Sequence, residues 1–419
     1  MTIRTAIGGL LRIIGILLIA WLIWRLFFLR SRTFEGLAVA IGLVGIVSSA
    51  FSGGSLSAVA GVPVGGYAIL GAVSALVHRG PAVATTVADP ASPWRFVVEA
   101  LFFFGATALL AERRVLGALM AALIFATCFI GLGASYDSFV MTVHGVWRLY
   151  EYPTVEQWNG WAAVGLVLSL GFPLALAPVV VTRRWTTAVV AVVFVAAILT
   201  SAWFIDSRGT YLAVGLTFCC VALFERRVFK QSRLLTVSSI GLIVIVLVFA
   251  THRTMAVEFA QGVRLRAFSK FANPLHQDPN SGGFDTGFGR FDIWKRAAAT
   301  IAAHPLLGVG PGRYQDPVSS HAHSMMLHEA AELGIPGCIA LYAIWGYLLF
   351  GLRQELERPG IRTLAVGFGG ALVAYVFATL GTHYTSGLFV SSDRVRFLVW
   401  TLIAAAAATI RASRSQLPC

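Results

Sequence analysis

The sequence predicts an all-α polytopic membrane protein with about 12 transmembrane helices and one large, partly helical outer loop between spans 9 and 10. The chain has 419 residues, of which 57% are hydrophobic and only 12% are charged. A soluble globular chain carries about 25% charged residues. Runs of roughly 20 apolar residues recur along the chain, which is the length that a helix needs to cross a hydrocarbon core. Both observations exclude an ordinary soluble protein.

The predicted spans divide the chain into three regions. Residues 1–251 hold spans 1–9, residues 252–332 form the outer loop, and residues 333–419 hold spans 10–12 and a cytoplasmic tail. The first apolar segment is too long for a signal peptide and lacks a small-residue cleavage site, so it is predicted to stay as a span. The spans are predicted at 6–29, 35–51, 57–78, 95–111, 114–134, 160–181, 187–204, 210–224, 234–251, 333–352, 363–383 and 395–411.

Basic residues predict the orientation of these spans. The net charge is +13, and nearly all of the basic residues are arginine. In a soluble protein this charge would suggest nucleic acid, but cytoplasmic segments of membrane proteins carry an excess of Lys and Arg. With the N-terminus inside, fourteen basic residues fall on cytoplasmic segments. Arg30 and Arg32, in the first outer hairpin, run against the rule. The charge distribution predicts that both termini are cytoplasmic.

The cysteines predict neither a metal site nor a disulfide framework. They lie in or beside spans, or at the C-terminal tail, and none has zinc-like spacing. Buried apolar thiols are the expectation. The five cysteines are Cys128, Cys219, Cys220, Cys338 and Cys419.

The outer loop, residues 252–332, collects the polar residues of the chain. It contains six of the nine histidines and eight of the 32 basic residues. Connections of this length are usually functional or disordered, and the aromatic and helical content of this one argues against disorder. Any chemistry that the protein performs is predicted to occur here.

Two local patterns organise the second half of the loop. Residues 290–303 predict an amphipathic helix, with Phe291, Trp294, Ala298 and Ile301 at helical spacing and a stop at His304-Pro305. The GVGPG that follows lacks the Gly-Lys-Ser/Thr of a phosphate-binding loop. It predicts a tight turn that lets the backbone pass close to a neighbouring element.

The stretch HAHSMMLHEAAELGIPG, residues 321–337, admits three interpretations. A metal site is one, but HEAAE has a glutamate where the zincin motif HExxH has its second histidine. Histidines at a wet membrane interface are the second. The third is a metal-free general base, because the unperturbed pKa of imidazole lies close to neutral pH.

A wider pattern resembles the signature of the O-antigen ligases and O-antigen polymerases. His323-Ser324 is followed by nine residues and then by Gly-Ile-Pro-Gly, although Cys338 departs from the residue that often comes next in the family. Upstream, GRFDIWKRAAATIAAHPLLGVGPGRY (289–314) is similar to the family's Arg-led loop helix running into His-Pro-Leu-Leu-Gly-x-Gly. Asp206-Ser207-Arg208-Gly209 is similar to its Ser-Arg-Gly. The resemblance is specific over about 200–345.

The resemblance implies a bacterial inner-membrane glycosyltransferase with a lipid-linked donor. The donor would be a glycan on a polyprenyl diphosphate at the outer face, and the acceptor would be a hydroxyl of the lipid A core. His323 would be the catalytic base, and Arg208 and Arg290 would stabilise the leaving diphosphate. Without the resemblance, Asp206 or Ser207 would simply cap a helix, with Arg208 snorkelling.

Arginine is expected to replace a metal ion at the diphosphate. Its planar fork binds phosphate oxygens bidentately and keeps its charge. The loop has no close Asp-x-Asp pair, so no metal and no cofactor are expected. Arg264, Arg266 and Arg313 are predicted to contact the anionic donor, as is Ser324 of the His-Ser pair.

Two alternative functions stay open from the sequence. An O-antigen or exopolysaccharide polymerase would use the same donor and transfer it to a second lipid-linked repeat. A twelve-span transporter is the non-enzyme alternative, but transporters place ionisable groups near the midplane of repeated halves. Here Glu99 and Arg25 are the main charges within predicted spans, and the polar residues collect in the loop. No nucleic-acid partner is predicted.

Overall fold

Every regular element in the described part of the chain is an α-helix, as predicted. The computed structural model describes residues 3–29, 34–52, 60–78, 92–144, 161–182, 184–205, 208–224, 287–314, 322, 324–380 and 393–414. The helices are α1 (Ile3–Phe28), α2 (Glu35–Phe51), α3 (Gly61–Val77), α4 (Pro93–Leu109), α5 (Arg113–His144), α6 (Trp161–Val181), α7 (Trp185–Ile205), α8 (Arg208–Phe224), α9 (Gly287–Ala303), α10 (Met325–Glu355), α11 (Arg362–Leu380) and α12 (Asp393–Arg414).

The chain is a multi-pass membrane protein. Seven of the described helices are long and apolar enough to cross a membrane, by length and composition: α1, α5, α6, α7, α10, α11 and α12. Helices α2, α3, α4 and α8 lie at predicted spans but have only 17 residues each. At 1.5 Å per residue they reach about 26 Å, against a hydrocarbon core of about 30 Å. The predicted span 234–251 lies outside the described residues, so the count of twelve stays a prediction.

Helix α12 lies at the centre of the bundle. In its apolar segment, 94% of the residues are buried, whereas the figure is 28% for both α1 and α7. Helix α12 packs against α4, α10 and α11, and its run of five alanines, residues 404–408, is fully buried. Small side chains at these positions allow the neighbouring helices to approach closely. The large apolar side chains exposed on α1 and α7 form outward faces suited to lipid.

The crossing of α2 and α4 depends on glycine. A Cβ at Gly45 would lie 2.2 Å from the carbonyl oxygen of Gly105. Since no side chain separates the two backbones, the helices pack in direct contact.

Helix packing defines two ends of the bundle. At one end, which we name the loop end, α1 finishes and α2, α4 and α12 begin. Arg394 of α12 donates there to the carbonyls of Leu26 and Leu29. At the opposite end, Arg4 donates to the carbonyl of Ala50 at 3.0 Å, so the start of α1 meets the end of α2. Helix α1 therefore runs antiparallel to α2, whereas α4 and α12 run in the same direction as α2.

A buried charged network ties three helices together at the loop end. Nη2 of Arg396 in α12 lies 2.8 Å from Oε1 of Glu35 in α2. Nε of Arg396 lies 3.7 Å from Oε1 of Glu99 in α4, and the same oxygen lies 3.4 Å from Nε of Arg95. Arg95, Glu99 and Arg396 are all buried. The sequence placed Glu99 inside a span, and the structure supplies its two cationic neighbours.

Two predicted features of the loop region differ from the structure. The buried face of α9 runs through Ile293 and Ala297, whereas Ala298, predicted on that face, is exposed. Helix α10 begins at Met325, before the predicted start of its span at 333. The stop of α9 before His304 is confirmed. The division of the chain at residues 252 and 333 stays a prediction.

Replacing Arg396 with Met should destabilise the protein strongly. The substitution keeps an unbranched apolar stem but removes the guanidinium cation between Glu35 and Glu99. Removing one partner of a buried ion pair commonly costs about 3–5 kcal/mol. The measurement is the thermal unfolding midpoint of the purified protein in detergent, which should fall clearly below that of the wild type.

Lys295→Met is the matched control for this substitution. Lys295 pairs with Asp292 at 3.7 Å, but the two side chains are 81% and 65% exposed. Exposed pairs contribute little, so its midpoint should stay close to the wild-type value. Equal midpoints for the two variants would show that the Arg396 network does not stabilise the bundle.

Candidate functional site

A break in α10 organises the loop end. Gly334 has φ 72° and ψ 178°, which lies outside the helical region. In an unbroken helix the amides of residues 335 and 336 would bond to the carbonyls of Ala331 and Glu332. Pro336 has no amide hydrogen, and the amide of Ile335 donates elsewhere, to Pro305 at 2.8 Å. The carbonyls of Ala331 and Glu332 are thereby left open to other donors.

The turn that follows α9 supplies those donors. The amide of Val309 donates to the carbonyl of Ala331 at 2.9 Å, and the amide of Gly310 donates to the carbonyl of Glu332 at 3.0 Å. With the bond from Ile335 to Pro305, three backbone hydrogen bonds join the turn to the break. The His-Pro-Leu-Leu-Gly-Val-Gly segment and the Gly-Ile-Pro-Gly segment are therefore two halves of one structure.

Glycine is required on both sides of this junction. Gly308 has φ 64°, and a Cβ there would lie 2.3 Å from the carbonyl carbon of Glu332. A Cβ at Gly334, with φ 72°, would lie 2.4 Å from the carbonyl carbon of Leu306. Positive φ and backbone contact both disfavour any side chain. The interpretation of GVGPG as a tight turn passing close to a neighbour is confirmed.

Helix α3 closes the junction from the side. The Ser74 hydroxyl donates to the carbonyl of Leu307 at 2.7 Å and lies 3.4 Å from that of Glu332. Nδ1 of His78 lies 2.9 Å from the carbonyl of Ser74. A Cβ at Gly310 would lie 2.8 Å from Cβ of His78. Hydrogen bonds therefore join helix α3, the turn after α9 and the break in α10.

The first part of α10 folds back on the rest of the helix. The Cys338 thiol donates to the carbonyl of Met326, with 3.6 Å between sulfur and oxygen. Twelve residues apart on one straight helix, these groups would be separated by about 18 Å. Residues 325–333, which we name the α10 arm, therefore form a hairpin with residues 335–355. Ser324 lies at the start of the arm and is buried.

The α10 arm carries a buried His–Glu pair. Nε2 of His328 lies 3.3 Å from Oε1 of Glu332, and both side chains are fully buried. The amide of Tyr314 donates to the same carboxylate oxygen at 3.4 Å. The ring of Tyr314 meets the imidazole edge to face, with the centroids 5.4 Å apart. This cluster locks the end of the turn against the arm.

A second buried acid of the α10 arm, Glu329, faces helix α3. The Tyr67 hydroxyl of α3 donates to Oε2 of Glu329 at 3.4 Å, and both residues are buried. Sequence reasoning missed both interactions and treated HEAAE only as an incomplete zinc motif. The i,i+4 spacing of His328 and Glu332 was the available signal, because it puts the two side chains on one face of a helix.

The structure describes some of the predicted site residues fully, some by their backbone alone and others not at all. His323, Arg264 and Arg266 lie outside the described residues. Arg208 is the first residue of α8 and Arg290 belongs to the first turn of α9, and only their backbone is described. Arg313 is exposed at the end of the turn, where its amide donates to the carbonyl of Gly310 at 3.2 Å. Ser324, by contrast, is buried, as is Ala322.

The acidic and imidazole groups of the site do not form a metal-binding set within the described ranges. No group of three or more His, Cys, Asp and Glu residues is placed there to hold an ion. The four described cysteines are free thiols: Cys128, Cys219, Cys220 and Cys338. The chemistry that these described residues offer is hydrogen bonding and backbone positioning.

Replacing Gly334 with Ala should disrupt the junction. The new methyl group would meet the backbone of Leu306, and the positive φ with extended ψ, which essentially only glycine adopts, would add strain of about 1–3 kcal/mol. The unfolding midpoint in detergent should fall, and the amides of Val309 and Gly310 should exchange hydrogen faster.

Gly346→Ala is the control on the same helix, because no heavy atom lies within 4 Å of a Cβ at that position. Alanine favours a helix by roughly 0.5–1 kcal/mol over glycine, so this variant should be as stable as the wild type or more stable. If Gly334→Ala matched it in both measurements, the junction would not depend on glycine.

The segment of the chain that matches a known protein family includes this junction. The family model described as O-antigen ligase matches residues 203–342. The match covers Arg208, Arg290 and His323 and continues through both halves of the junction, ending within α10. No curated protein matches the chain. The match spans about a third of the chain and supports membership of the O-antigen ligase superfamily.

Proposed function

We propose that the protein is an O-antigen ligase-like glycosyltransferase. It moves a glycan from a polyprenyl diphosphate carrier to an acceptor hydroxyl of the lipid A core, at the outer face of the bacterial inner membrane. The observation that carries the proposal is the junction between the His304–Gly310 turn and the broken start of α10. It lies inside the matched family segment, and its two halves lie on either side of His323-Ser324 in the chain.

The proposed reaction is a direct displacement at the anomeric carbon. The acceptor hydroxyl attacks C1 of the glycan, and a ring nitrogen of His323 takes the hydroxyl proton as the new O–C1 bond forms. The bond between C1 and the phosphate oxygen breaks, and its electron pair leaves with the diphosphate. Attack from the side opposite the leaving group inverts the anomeric centre.

Arginine stabilises the leaving diphosphate in this mechanism. Negative charge grows on the phosphate oxygens as the C1–O bond breaks, and fixed cations there lower the barrier. We assign this role to Arg208 and Arg290. Arg208 is the first residue of α8, and Arg290 lies in the first turn of α9. Arg264, Arg266 and Arg313 add positive charge for the anionic donor, and Ser324 contacts substrate beside the base.

The loop end is the outer end in this proposal. The polyprenol must stay in the bilayer, so its diphosphate lies at headgroup depth, roughly 15 Å from the midplane. The opposite end carries the arginines expected on the cytoplasmic side, among them Arg113, Arg114, Arg358 and Arg411. Both termini are then cytoplasmic.

The buried pair in the α10 arm has a positioning role. His328 and Glu332 are closed off from solvent, and Glu332 holds the amide of Tyr314. The pair fixes the arm that starts two residues after His323. His328→Ala would leave the Glu332 carboxylate without its buried partner, a change that commonly destabilises a fold.

The test is transfer of a lipid-linked glycan by wild-type and variant proteins at equal abundance in the membrane. Removing a general base commonly costs about 10²–10⁴-fold in rate. His323→Ala should lose activity by that amount while unligated donor accumulates. Arg208→Lys and Arg290→Lys should also be impaired, since lysine keeps the charge but loses the fork. The wild-type rate should persist in excess EDTA, because no metal takes part.

His304→Ala is the control histidine variant, because its side chain is exposed on the turn. It should transfer glycan at a near-normal rate. Near-normal transfer by His323→Ala, with loss in His304→Ala, would show that the base is wrongly assigned. Loss of activity in EDTA with recovery on Mg²⁺ would contradict the arginine mechanism.

A further inference from the structure

The opposite end of the bundle contains a polar cavity of about 570 Å³. Its lining comes from α1, α2, α5, α12 and the end of α4 with the link to α5. This volume falls within the range of pockets that bind small molecules. The cavity is lined by Arg12, Ser48, Ser49, Ser52, Ala108, Ala111, Glu112, Arg113, Arg114, Arg411 and Ala412.

The lining carries a large excess of positive charge. Four arginines from three helices converge on the cavity, together with one acid, Glu112. Nη2 of Arg12 lies 3.3 Å from Oε2 of Glu112, and this pair neutralises one of the four cations. The formal charges of the lining side chains sum to +3.

The positive-inside rule alone does not explain this arrangement. The rule places arginines near the cytoplasmic ends of spans, but it does not require them to surround one cavity. Arg358, at the same end of the bundle, instead pairs with groups of the protein. It lies 3.2 Å from the buried Glu355 and donates to the Ser413 hydroxyl at 2.8 Å, so its charge is compensated within the protein.

The lining of the cavity is suited to a phosphate group. Ser48 and Ser49 are buried in its wall, while Arg12 and Arg411 are half-buried and Arg113 and Arg114 are exposed at its rim. Guanidinium groups bind phosphate oxygens bidentately, whereas the Ser48 hydroxyl already donates to the carbonyl of Gly8 at 3.0 Å. A phosphate ester could enter with its charge neutralised from several sides.

The surroundings of the cavity favour a lipid as the source of that phosphate. The first turns of α1, next to Arg12, expose Ile3, Ile7, Leu10 and Ile13. A bound headgroup would thus have an apolar helix surface beside it for its acyl chains. Basic pockets between transmembrane helices on the cytoplasmic side are a recurrent form of site for anionic lipid headgroups.

We propose that this cavity binds the phosphate of an anionic phospholipid. The bound headgroup bridges α1, α5 and α12 and so stabilises the packing of the end opposite the candidate active site. The inference does not depend on the proposed glycan transfer. A ligand that binds only the folded protein raises its stability, so phosphatidylglycerol should raise the unfolding midpoint.

The test uses the full-length protein, purified in a neutral detergent, with native mass spectrometry and thermal unfolding as readouts. The probes are phosphatidylglycerol, phosphatidylcholine and glycerol phosphate. The wild type should retain phosphatidylglycerol and gain stability from it, with little effect from the other two. The double variant Arg12→Gln/Arg411→Gln should bind phosphatidylglycerol at least tenfold more weakly. Arg113→Gln/Arg114→Gln, at the exposed rim, provides a second test if the first double variant folds poorly.

Arg184→Gln/Arg353→Gln is the matched control. Both arginines are exposed and lie outside the lining of the cavity, and the variant loses the same charge. It should bind phosphatidylglycerol like the wild type. Equal losses in control and cavity variants would mean a general charge effect and would overturn the proposal. Equal binding of the two lipids would also overturn it, and tight binding of glycerol phosphate alone would replace the lipid with a soluble phosphate.

Discussion

The loop end of this protein depends on an exchange of backbone hydrogen bonds between the His304–Gly310 turn and the break in α10. Pro336 cannot donate to the carbonyl of Glu332, so the break would leave that acceptor unsatisfied. An unpaired carbonyl is costly in an apolar environment. The turn satisfies this carbonyl and that of Ala331, and Pro305 accepts the displaced amide of Ile335. Each segment is therefore stable only in the presence of the other.

Charged side chains also connect the helices at this end of the bundle. The Arg396 network connects α12 to α2 and α4, and Glu329 connects the α10 arm to Tyr67 of α3. His328 and Glu332 hold the arm and the turn together. A site for a charged substrate needs side chains fixed by a rigid surrounding structure. These buried pairs supply that rigidity around the segment in which the reaction is proposed.

The apolar runs and the two glycine motifs could be predicted from the sequence, because each is a local property. Hydropathy indicated the helices, and GVGPG indicated a turn against a neighbour. The segment that this turn contacts is distant from it in the sequence and could not be predicted. Nothing in residues 304–310 shows that the acceptors are the carbonyls of Ala331 and Glu332.

Features that depend on tertiary contacts were missed or misplaced. The buried face of α9 is set by its packing on α10, which selects Ile293 and Ala297 rather than Ala298. The α10 arm, within the segment predicted as a partly helical outer loop, was not predicted to be a buried helix. It is helical and buried because His328, Glu329 and Glu332 each find a partner.

Deleting the gene and analysing its glycans tests the proposed function most directly. Lipid A and the polyprenyl diphosphate carrier are examined for attached glycan, with and without the wild-type gene restored. The account predicts a lipid A core without the glycan and a carrier pool enriched in full-length glycan, both reversed by restoration. A lipid A core that carries one repeat would indicate a polymerase of the same superfamily. Unchanged glycan on both lipids would contradict the account.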